Sequence, residues 1–269
     1  FNIYYYKKKI MVKRILVLFA GTGSIEKVYD EKEHDIRGLD LDKRFKPFYN
    51  VNILEWDYKT ELTKWIPDYI HSSPVCAEFT KLKQVKESSR NFELGMSLLN
   101  KTIEIIEFVK TINPLLKYTM ENPKGLMRKQ ACMKPYKLTT TTYCMYGFPY
   151  MKETDFWSGG FELKLKPICR NTKDENNWCE GKKKWRCHRV RIGLSNKKDT
   201  GTYKRTNSNQ IGDNQYFKEL RLTDEYKDGK WTDTYFRYRI PRELCVAIRD
   251  CVLKGHVNNK SDKVIIEEI

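Results

Sequence analysis

The stretch Lys13–Ser24, KRILVLFAGTGS, decides the fold of this chain. Its apolar run is continuous rather than alternating, which is typical of a strand buried on both faces of a parallel sheet. The run ends in Gly21 and Gly23, so the strand should pass through a tight turn into a short helix with Ser24 as candidate N-cap. Strand, glycine turn and helix in this order predict the beginning of an open α/β sheet.

Further strands and a long helix follow in the first 160 residues. The segments DIRGLDLD, YNVNILEWDY, WIPDYIHSS, PLLKYTMENP and KLTTTTYCMYG each have the composition of a strand. From Asn91 to Lys110 the apolar residues recur at the three- and four-residue spacing of a buried helix face: Phe92, Met96, Leu99, Ile103, Ile106 and Val109. The alternation predicts a doubly wound, mostly parallel α/β sheet, in which ligands bind beyond the carboxyl ends of the strands.

Chemically capable residues fall at these predicted strand ends. Asp40 and Asp57 end the second and third strands, where carboxylates can accept hydrogen bonds from a ribose and an adenine; solvated turn aspartates are the alternative. Cys76 follows the fourth strand on a turn fixed by Pro74, as a nucleophile would, although a buried structural cysteine is the alternative. Glu121 ends the fifth strand, where an apolar pocket would raise its carboxyl pKa; a helix cap is the alternative.

The overall charge favours a polyanionic partner. The 269 residues contain 51 Lys and Arg against 35 Asp and Glu, a formal net charge of +16. We therefore expect nucleic acid first and an anionic membrane surface second. No apolar stretch reaches the roughly 18 residues of a spanning helix and no signal-peptide pattern is visible, so we expect a soluble, intracellular protein. The eight widely spread cysteines favour reduced thiols over a disulfide framework.

The second half of the sequence has a different character. Residues 161–234 are polar and basic and predict a small irregular region. Its stretch GKKKWRCHRVR mixes cations with an aromatic side chain, which suits nucleic acid, although a solvated basic loop is the alternative. The candidate DNA-binding residues are Lys182, Lys183, Lys184, Trp185, Arg186, Arg189 and Arg191. A weaker hypothesis is a zinc site, which fits the usual ligand spacings poorly, at Cys169, Cys179, Cys187 and His188.

The two ends of the chain complete the predicted organisation. Residues 1–10 precede Met11 and read as an extension or tag, and residues 255–269 as a tail. Between 235 and 254 we expect an amphipathic helix that begins at Pro241 and docks on the first domain. Its expected buried residues are Leu244, Ala247, Ile248 and Val252.

In this order, LFAGTGS, Asp40, Asp57, SPVCAEF and ENP resemble the DNA (cytosine-5-)methyltransferases, above all their short members from phages and large DNA viruses. The resemblance runs from about Arg14 to Trp157, with a weaker echo in RYRIPRELCVAI. It implies a Rossmann-like class I S-adenosylmethionine-dependent catalytic domain at residues 11–160, with 161–234 recognising the target. It also implies a monomer that acts on double-stranded DNA, in the host cytoplasm or nucleus if the chain is viral.

The resemblance also implies roles for individual residues. Cys76 would attack carbon 6 of a cytosine flipped out of the duplex, and Glu121 would bind ring nitrogen 3 and the exocyclic amine. The implied contacts to S-adenosylmethionine are Phe19, Ala20, Gly21, Thr22, Gly23, Ser24, Asp40, Leu41, Asp57, Tyr58 and Pro74.

This chain also departs from the family pattern. Val75 and Ala77 stand where the family has a proline and a glutamine beside the cysteine, and Tyr150, Lys152 and Thr154 replace a glutamine and two arginines. Lys152 is the substitute that we expect for a catalytic arginine. The departures leave open a catalytically weak or inactive nucleic-acid-binding protein. Methylation of an exocyclic amino group, N4 of cytosine or N6 of adenine, and RNA as substrate are further alternatives.

Overall fold

The computed structural model describes residues 12–79, 91–148, 151–169 and 239–254, and the backbone of 182–184 and 187–188. Its strands are β1 (Arg14–Leu18), β2 (Asp35–Asp40), β3 (Tyr49–Asn50), β4 (Tyr69–Ser72), β5 (Lys117–Pro123), β6 (Lys137–Thr142), β7 (Glu153–Gly159), β8 (Lys182–Lys184) and β9 (Cys187–His188). Its α-helices are α1 (Tyr58–Lys64), α2 (Phe92–Ile112) and α3 (Arg242–Leu253).

The first seven strands form one sheet in the order β3-β2-β1-β4-β5-β7-β6. Strands β1 to β5 pair in parallel, and β7 lies antiparallel between β5 and β6. The predicted doubly wound, mostly parallel sheet is therefore confirmed. Strands β8 and β9 pair separately as a short antiparallel ribbon.

Side chains of β1 enter two cores because successive strand residues point to opposite faces of a sheet. Ile15 and Val17 pack in the core on the α3 face, and Leu16 and Leu18 pack in the core on the α1 and α2 face. All four are buried, and each contributes roughly 1.5–3 kcal/mol through burial. This two-sided burial explains why the sequence of β1 is apolar without alternation.

The strand order reverses at β1, because β2 pairs with one of its edges and β4 with the other. In open α/β sheets such a switch point opens a crevice beyond the carboxyl ends of the two diverging strands. The glycine turn at 19–24 leaves β1 at this point, and the turn at 73–76 leaves β4 beside it. The topology thus brings two distant motifs of the sequence to one edge.

The prediction that Asp57 ends a strand is wrong. Strand β3 stops at Asn50, and the side chain of Asn52 accepts a hydrogen bond from the Leu54 amide at 3.1 Å, which turns the chain. Asp57 instead caps α1 by accepting from the Thr60 amide at 3.3 Å. A short polar side chain that bonds a nearby amide competes with strand pairing, and this competition ends the strand early.

Two further sequence predictions need correction. The helix after the glycine turn is only a 3₁₀ turn, Glu26–Val28, and no side chain caps it. Ser24 is therefore not an N-cap, since its hydroxyl lies 2.7 Å from that of Thr22 and accepts from the Ile240 amide at 3.3 Å. Strand β7 was not predicted, although its interior residues are buried as in a central strand.

Helix α3 packs against the face of the sheet to which Ile15 and Val17 of β1 point. Its buried residues are Leu244, Cys245, Ile248 and Val252, whereas Ala247 is only partly buried. The Lys117 ammonium donates to the Val252 carbonyl at 2.5 Å, and a cation there also suits the negative end of the helix. None of the helices in the described ranges is long and apolar enough to cross a membrane.

Candidate active site

A cavity lies at the switch point, where the turns after β1 and β4 meet. Its lining comes from β1 and β4 and the turns that follow them, from Phe45 after β2, from β5, from Lys152 just before β7, and from Ile240 two residues before α3. The predicted site residues that line this cavity are Phe19, Ala20, Gly21, Thr22, Ser24, Pro74, Cys76, Glu121 and Lys152. The structure therefore brings the glycine turn, the cysteine and the glutamate together.

The glycine turn has an unusual backbone. Phe19, Gly21 and Gly23 have φ angles of 58°, 51° and 66°. Glycine tolerates positive φ, but a bulky residue such as Phe19 is strained there, and such strain is common at ligand sites. A Cβ on Gly21 would meet only the Phe19 carbonyl oxygen, at 3.8 Å. The space over Gly21 is therefore open to a ligand.

Asp40 fixes the glycine turn through a hydrogen bond to its backbone. Its carboxylate accepts the Gly21 amide at 2.8 Å and the Asp42 amide at 2.8 Å. Burial raises the pKa of Asp40, and these two amide hydrogen bonds oppose that effect. Asp40, Gly23 and Leu41 do not line the cavity, and Leu41 is 70% exposed. Asp40 thus shapes the turn and does not line the cavity.

The other two predicted cofactor residues lie at the start of α1. Asp57 is exposed at its N-cap, and the hydrogen bond from Thr60 lowers its pKa. Tyr58 is buried and donates to Glu104 at 2.6 Å. Neither residue lines the cavity. The structure therefore does not bring them to the other site residues.

Cys76 begins a 3₁₀ turn, Cys76–Glu78, directly after β4. The buried amide of Asn122 donates to the Pro74 carbonyl at 2.8 Å and fixes the turn ahead of the cysteine. Val75, at the family's proline position, is 45% exposed. Cys76 is half-buried, and burial raises the pKa of its thiol, an effect that the Lys152 charge opposes and the Glu121 charge increases.

Glu121 lies inside β5 opposite Phe156 of β7 and does not cap a helix. It is 6% exposed, and burial raises the pKa of its carboxyl, as predicted. Lys152 and the Tyr143 hydroxyl, which donates to Glu121 Oε1 at 3.3 Å, oppose this effect. A carboxyl in such surroundings takes up a proton more readily than one in water, and in its protonated form it donates a hydrogen bond.

Lys152 is the cation of the site. Its ammonium lies 4.5 Å from the centre of the Tyr143 ring and 3.4 Å from the Tyr143 hydroxyl. The same charge opposes the rise that burial causes in the pKa values of Cys76 and Glu121. One side chain therefore acts on both groups that the chemistry would need.

The cavity is also lined by residues that were not predicted to be site residues. These additional residues are Val17, Ile25, Phe45, His71, Ser73, Val75, Ala77, Pro123 and Ile240. A histidine followed by two serines in an otherwise apolar strand was the available signal for His71 and Ser73. Tyr143 gave no signal, because a tyrosine after a β-branched run reads as a core residue.

Several predicted residues lie outside the described part of the chain. Trp185, Arg186, Arg189, Arg191 and Cys179 belong to this group, as do residues 1–11 and 255–269. Lys182–Lys184 and Cys187–His188 are described only as the backbone of β8 and β9. Cys169 is buried beside Cys144. Among the described residues no group of three or more His, Cys, Asp or Glu is placed to hold a metal ion.

Comparison with known proteins identifies a viral relative of this chain. No family model matches the chain. A Frog virus 3 (isolate Goorha) protein named "Probable DNA (cytosine-5)-methyltransferase" is 32% identical over 198 residues, which cover 64% of this chain and 83% of that protein.

The solved structures that resemble the chain are more distant. A mutant of Spodoptera frugiperda DNMT2 has 19% identity and a TM-score of 0.39, over 58% of this chain and 54% of that one. The S. pombe Dnmt2 methyltransferase has 14% identity and a TM-score of 0.38, over 57% of this chain and 51% of that one. The chain thus spans about half the length of these solved structures.

Proposed function

The chain belongs to the DNA (cytosine-5)-methyltransferase family, and we propose on this premise that it transfers a methyl group from S-adenosylmethionine to carbon 5 of cytosine in double-stranded DNA. One observation carries the proposal: Cys76 and Glu121 line the same cavity, and the charge of Lys152 acts on both. A nucleophile and a proton-donating acid are the pair that this reaction needs.

The glycine turn is the proposed cofactor site. Phe19, Gly21, Thr22 and Ser24 would hold S-adenosylmethionine, because they line the cavity and the space over Gly21 is open. When bound, the cofactor supplies an electrophilic methyl group on a positively charged sulfur. Asp40 would act through the turn by fixing the Gly21 amide, and we retain Gly23, Leu41, Asp57 and Tyr58 as weaker candidates.

The proposed chemistry starts at Cys76. Its thiolate adds to carbon 6 of a flipped cytosine. The electron pair of the 5,6 double bond then shifts towards carbon 4, and negative charge develops on ring nitrogen 3. Glu121, whose carboxyl pKa is raised by burial, donates a proton to ring nitrogen 3 and accepts from the exocyclic amine.

Carbon 5 would then take the methyl group, as the bond between that methyl and the cofactor's sulfur breaks and leaves the electron pair on the sulfur, which departs uncharged. Loss of the carbon 5 proton to a base restores the 5,6 double bond and expels Cys76 as a thiolate, and the proton on ring nitrogen 3 returns to Glu121.

Lys152 replaces the catalytic arginine in this proposal. Its positive charge opposes the effect of burial on the Cys76 pKa and so increases the thiolate fraction. It would also stabilise the negative charge that spreads over the cytosine ring after the thiolate adds. Electrostatic stabilisation of this kind is often the largest single contribution to catalysis.

The basic region 161–234 is the proposed target-recognition part. The net charge of +16 supports binding to a duplex through release of counterions. The proposed contacts in this region are Lys182, Lys183, Lys184, Trp185, Arg186, Arg189 and Arg191. Its length suits recognition of a few base pairs only.

Product analysis tests the proposal. DNA from cells that express the protein is sequenced after bisulfite treatment, and its nucleosides are identified by mass spectrometry. We expect 5-methylcytosine in a short sequence context, none with Cys76→Ala, and an unchanged level with Cys132→Ala, a second half-buried cysteine. N4-methylcytosine, N6-methyladenine or methylation confined to RNA would refute the proposal. Cofactor binding without any methylated product would favour a non-catalytic binding protein instead.

A further inference from the structure

The part of the chain between Glu121 and Glu153 contains positive charges and no negative ones. Residues 122–152 include six Lys and Arg side chains and no Asp or Glu. The six are Lys124, Arg128, Lys129, Lys134, Lys137 and Lys152. Of these, Lys152 alone lines the proposed active site. The other five cations have no part in the chemistry proposed above.

The beginning of this stretch is fixed beside the mouth of the cavity. Pro123, the last residue of β5, lines the cavity, and Lys124 follows it directly. The Lys124 amide donates to the Glu153 carbonyl at 2.9 Å, and the Leu126 amide donates to the Phe79 carbonyl at 2.8 Å. Phe79 directly follows the 3₁₀ turn that begins with the proposed nucleophile. The backbone after β5 is therefore bonded both to β7 and to the end of the nucleophile's turn.

Arg128 fixes the next turn at the same edge of the sheet. Its guanidinium donates to the buried carboxylate of Asp155 at 2.7 Å and to the Thr140 hydroxyl at 3.0 Å. Asp155 lies on β7 opposite Asn122, the residue before the last of β5. Lys129 follows Arg128 in the same 3₁₀ turn and is exposed. The ion pair thus holds Lys129 near the carboxyl end of β5.

Lys124 and Lys129 both have capacity to bind an anion. The Lys124 ammonium forms an ion pair with the Glu153 carboxylate, and its side chain is still 35% exposed. An ammonium has three donor hydrogens, so a paired lysine can bind a further acceptor. Lys129 has no acidic partner among the residues that the structure describes. Two exposed cations therefore lie beside the mouth of the cavity.

The proposed reaction brings phosphates to this place. A flipped base rotates about its own backbone and stays attached to its strand, so the phosphates on either side of it lie at the mouth of the cavity. Cations that neutralise them release condensed counterions and add affinity. Contacts to phosphates also fix the register of the protein on the duplex without reading its sequence.

We propose that Lys124 and Lys129 form a phosphate-binding surface of the catalytic domain, which holds the backbone of the substrate DNA strand beside the flipped cytosine. The inference rests on the function proposed above. It adds a second DNA contact to that of the basic region 161–234. Arg128 has a positioning role in this surface, because its guanidinium is bonded to Asp155 and Thr140.

The salt dependence of duplex binding tests this surface. The affinity of the full chain for a fluorescein-labelled DNA duplex is measured by fluorescence anisotropy at several salt concentrations. Each phosphate contact contributes about 0.9 to the slope of log K against log salt concentration. We expect the slope to fall by about 0.9 in Lys129→Gln and by roughly 2 in Lys124→Gln/Lys129→Gln, on duplexes of any sequence.

Lys137→Gln is the matched control from the same stretch. Lys137 is exposed and lies opposite Ser158, which lies opposite Thr119 of β5. Thr119 precedes Pro123 by four residues, which places Lys137 about 13 Å from the carboxyl end of β5. The slope for Lys137→Gln should equal that of the unmodified protein. An equal fall in Lys137→Gln and Lys129→Gln would show an effect of net charge alone and would overturn the inference.

A double-mutant cycle tests Lys124 separately. Glu153→Gln removes the acid that competes with phosphate for the Lys124 ammonium, so duplex binding should become roughly two- to fivefold tighter. The same substitution in a Lys124→Gln background should give no such gain. Equal gains in both backgrounds would remove Lys124 from the surface.

Kinetics connect the surface to the reaction. In Lys129→Gln the KM for DNA should rise while kcat stays the same, because the contact binds the substrate and its transition state alike. Binding does not depend on catalysis: if the unmodified protein binds duplex DNA with the expected slopes but transfers no methyl group, the proposed function fails and the surface stands. An unchanged slope in Lys129→Gln, or binding of RNA without binding of duplex DNA, would overturn the inference.

Discussion

The ammonium of Lys152 lies 4.5 Å from the centre of the Tyr143 ring and 3.4 Å from its hydroxyl. The ring face attracts the cation and the hydroxyl accepts from it, so Tyr143 holds the lysine at the edge of the cavity. The same hydroxyl donates to Glu121. A tyrosine on the turn after β6 thus connects the only cation that lines the described cavity with its buried acid.

Replacing Lys152 should make Cys76 less reactive. The Lys152 charge lowers the pKa of the thiol against the effect of burial, so Lys152→Met should raise that pKa and reduce the thiolate fraction near neutral pH. We expect alkylation of Cys76 by iodoacetamide to slow roughly three- to tenfold at pH 7.5, which corresponds to about half to one pKa unit. The rate for Cys76 is obtained by subtracting that of Cys76→Ser.

Lys152→Arg keeps the charge and should retain most of the reactivity. Lys166→Met is a matched control, since Lys166 lies 5.1 Å from the Tyr146 ring in a similar cation–π contact. Equal alkylation rates in Lys152→Met and Lys166→Met would show that Lys152 does not tune the thiol.

Asn122 should matter for activity beyond its effect on stability. Asn122→Ala removes the donor to the buried Pro74 carbonyl, which costs about 1–3 kcal/mol in free energy of unfolding and loosens the turn that aims Cys76. Asn113→Ala removes a similar bond, from Asn113 to the Pro67 carbonyl at 2.9 Å, away from the cavity. Urea unfolding should show comparable losses for both variants, and methyl transfer should fall at least tenfold further in Asn122→Ala. Similar activities would mean that Asn122 is structural only.

Gly21 should be needed for cofactor binding more than for folding. Its φ of 51° makes Gly21→Ala cost about 1–2 kcal/mol in stability, while the new Cβ meets no packed atom closer than 3.8 Å. Gly147→Ala, at a φ of 85° outside the cavity lining, is the control for backbone strain alone. Calorimetry should show S-adenosylmethionine affinity at least tenfold weaker in Gly21→Ala than in Gly147→Ala. Equal affinities would place the cofactor elsewhere.

Glu26 should make the stability of the protein fall as pH rises. Burial raises its pKa to about 7, and its Oε2 atom is buried with no hydrogen-bond partner among the described residues. Between pH 4.5 and about 7 the Glu26 carboxyl stays protonated in the folded state but is ionised in the unfolded state. The contribution of this proton to the free energy of unfolding is therefore complete below the unfolded-state pKa of 4.5, and it is lost as pH rises to the folded-state pKa of about 7.

Glu26→Gln cannot ionise and should remove this pH dependence. We expect the variant to be more stable than the unmodified protein at pH 8, by on the order of 3 kcal/mol, and similar to it at pH 4.5. Urea unfolding at both pH values measures the difference, with the exposed Glu31→Gln as control. A variant with the same pH dependence as the unmodified protein would contradict the assignment.

The parts of the fold that were predictable depend on local sequence. The apolar run of β1 and the glycine turn that follows it are local features, and they predicted a buried strand that leaves an open α/β sheet through a tight turn. The prediction misplaced Asp57 because an aspartate is typical both of a strand end and of a helix N-cap. Only the turn at Asn52, which follows the early end of β3, shows that Asp57 is an N-cap. Strand β7 was missed because its place between β5 and β6 is set by tertiary pairing.

The candidate site was predictable only in its reactive groups. Cys76 and Glu121 are conspicuous because each follows an apolar strand segment and has chemistry that the core does not need. The groups that orient them lie on other elements. Asn122 of β5 bonds to the turn that follows the neighbouring strand β4, and Tyr143 reaches Glu121 from the turn after β6. Such contacts depend on register and crossover, which one sequence does not specify.

The most direct test of the central claim is a covalent trap. Duplex DNA that contains 5-fluorocytosine has no proton to lose at carbon 5, so after methyl transfer the bond between Cys76 and carbon 6 cannot break. The protein is incubated with this DNA and S-adenosylmethionine, and the products are separated on a denaturing gel and mapped by mass spectrometry. We expect one adduct, attached at Cys76, that requires the cofactor and is retained in Cys132→Ala. No adduct on duplexes that include every short sequence context, or an adduct that persists in Cys76→Ala, would contradict the account.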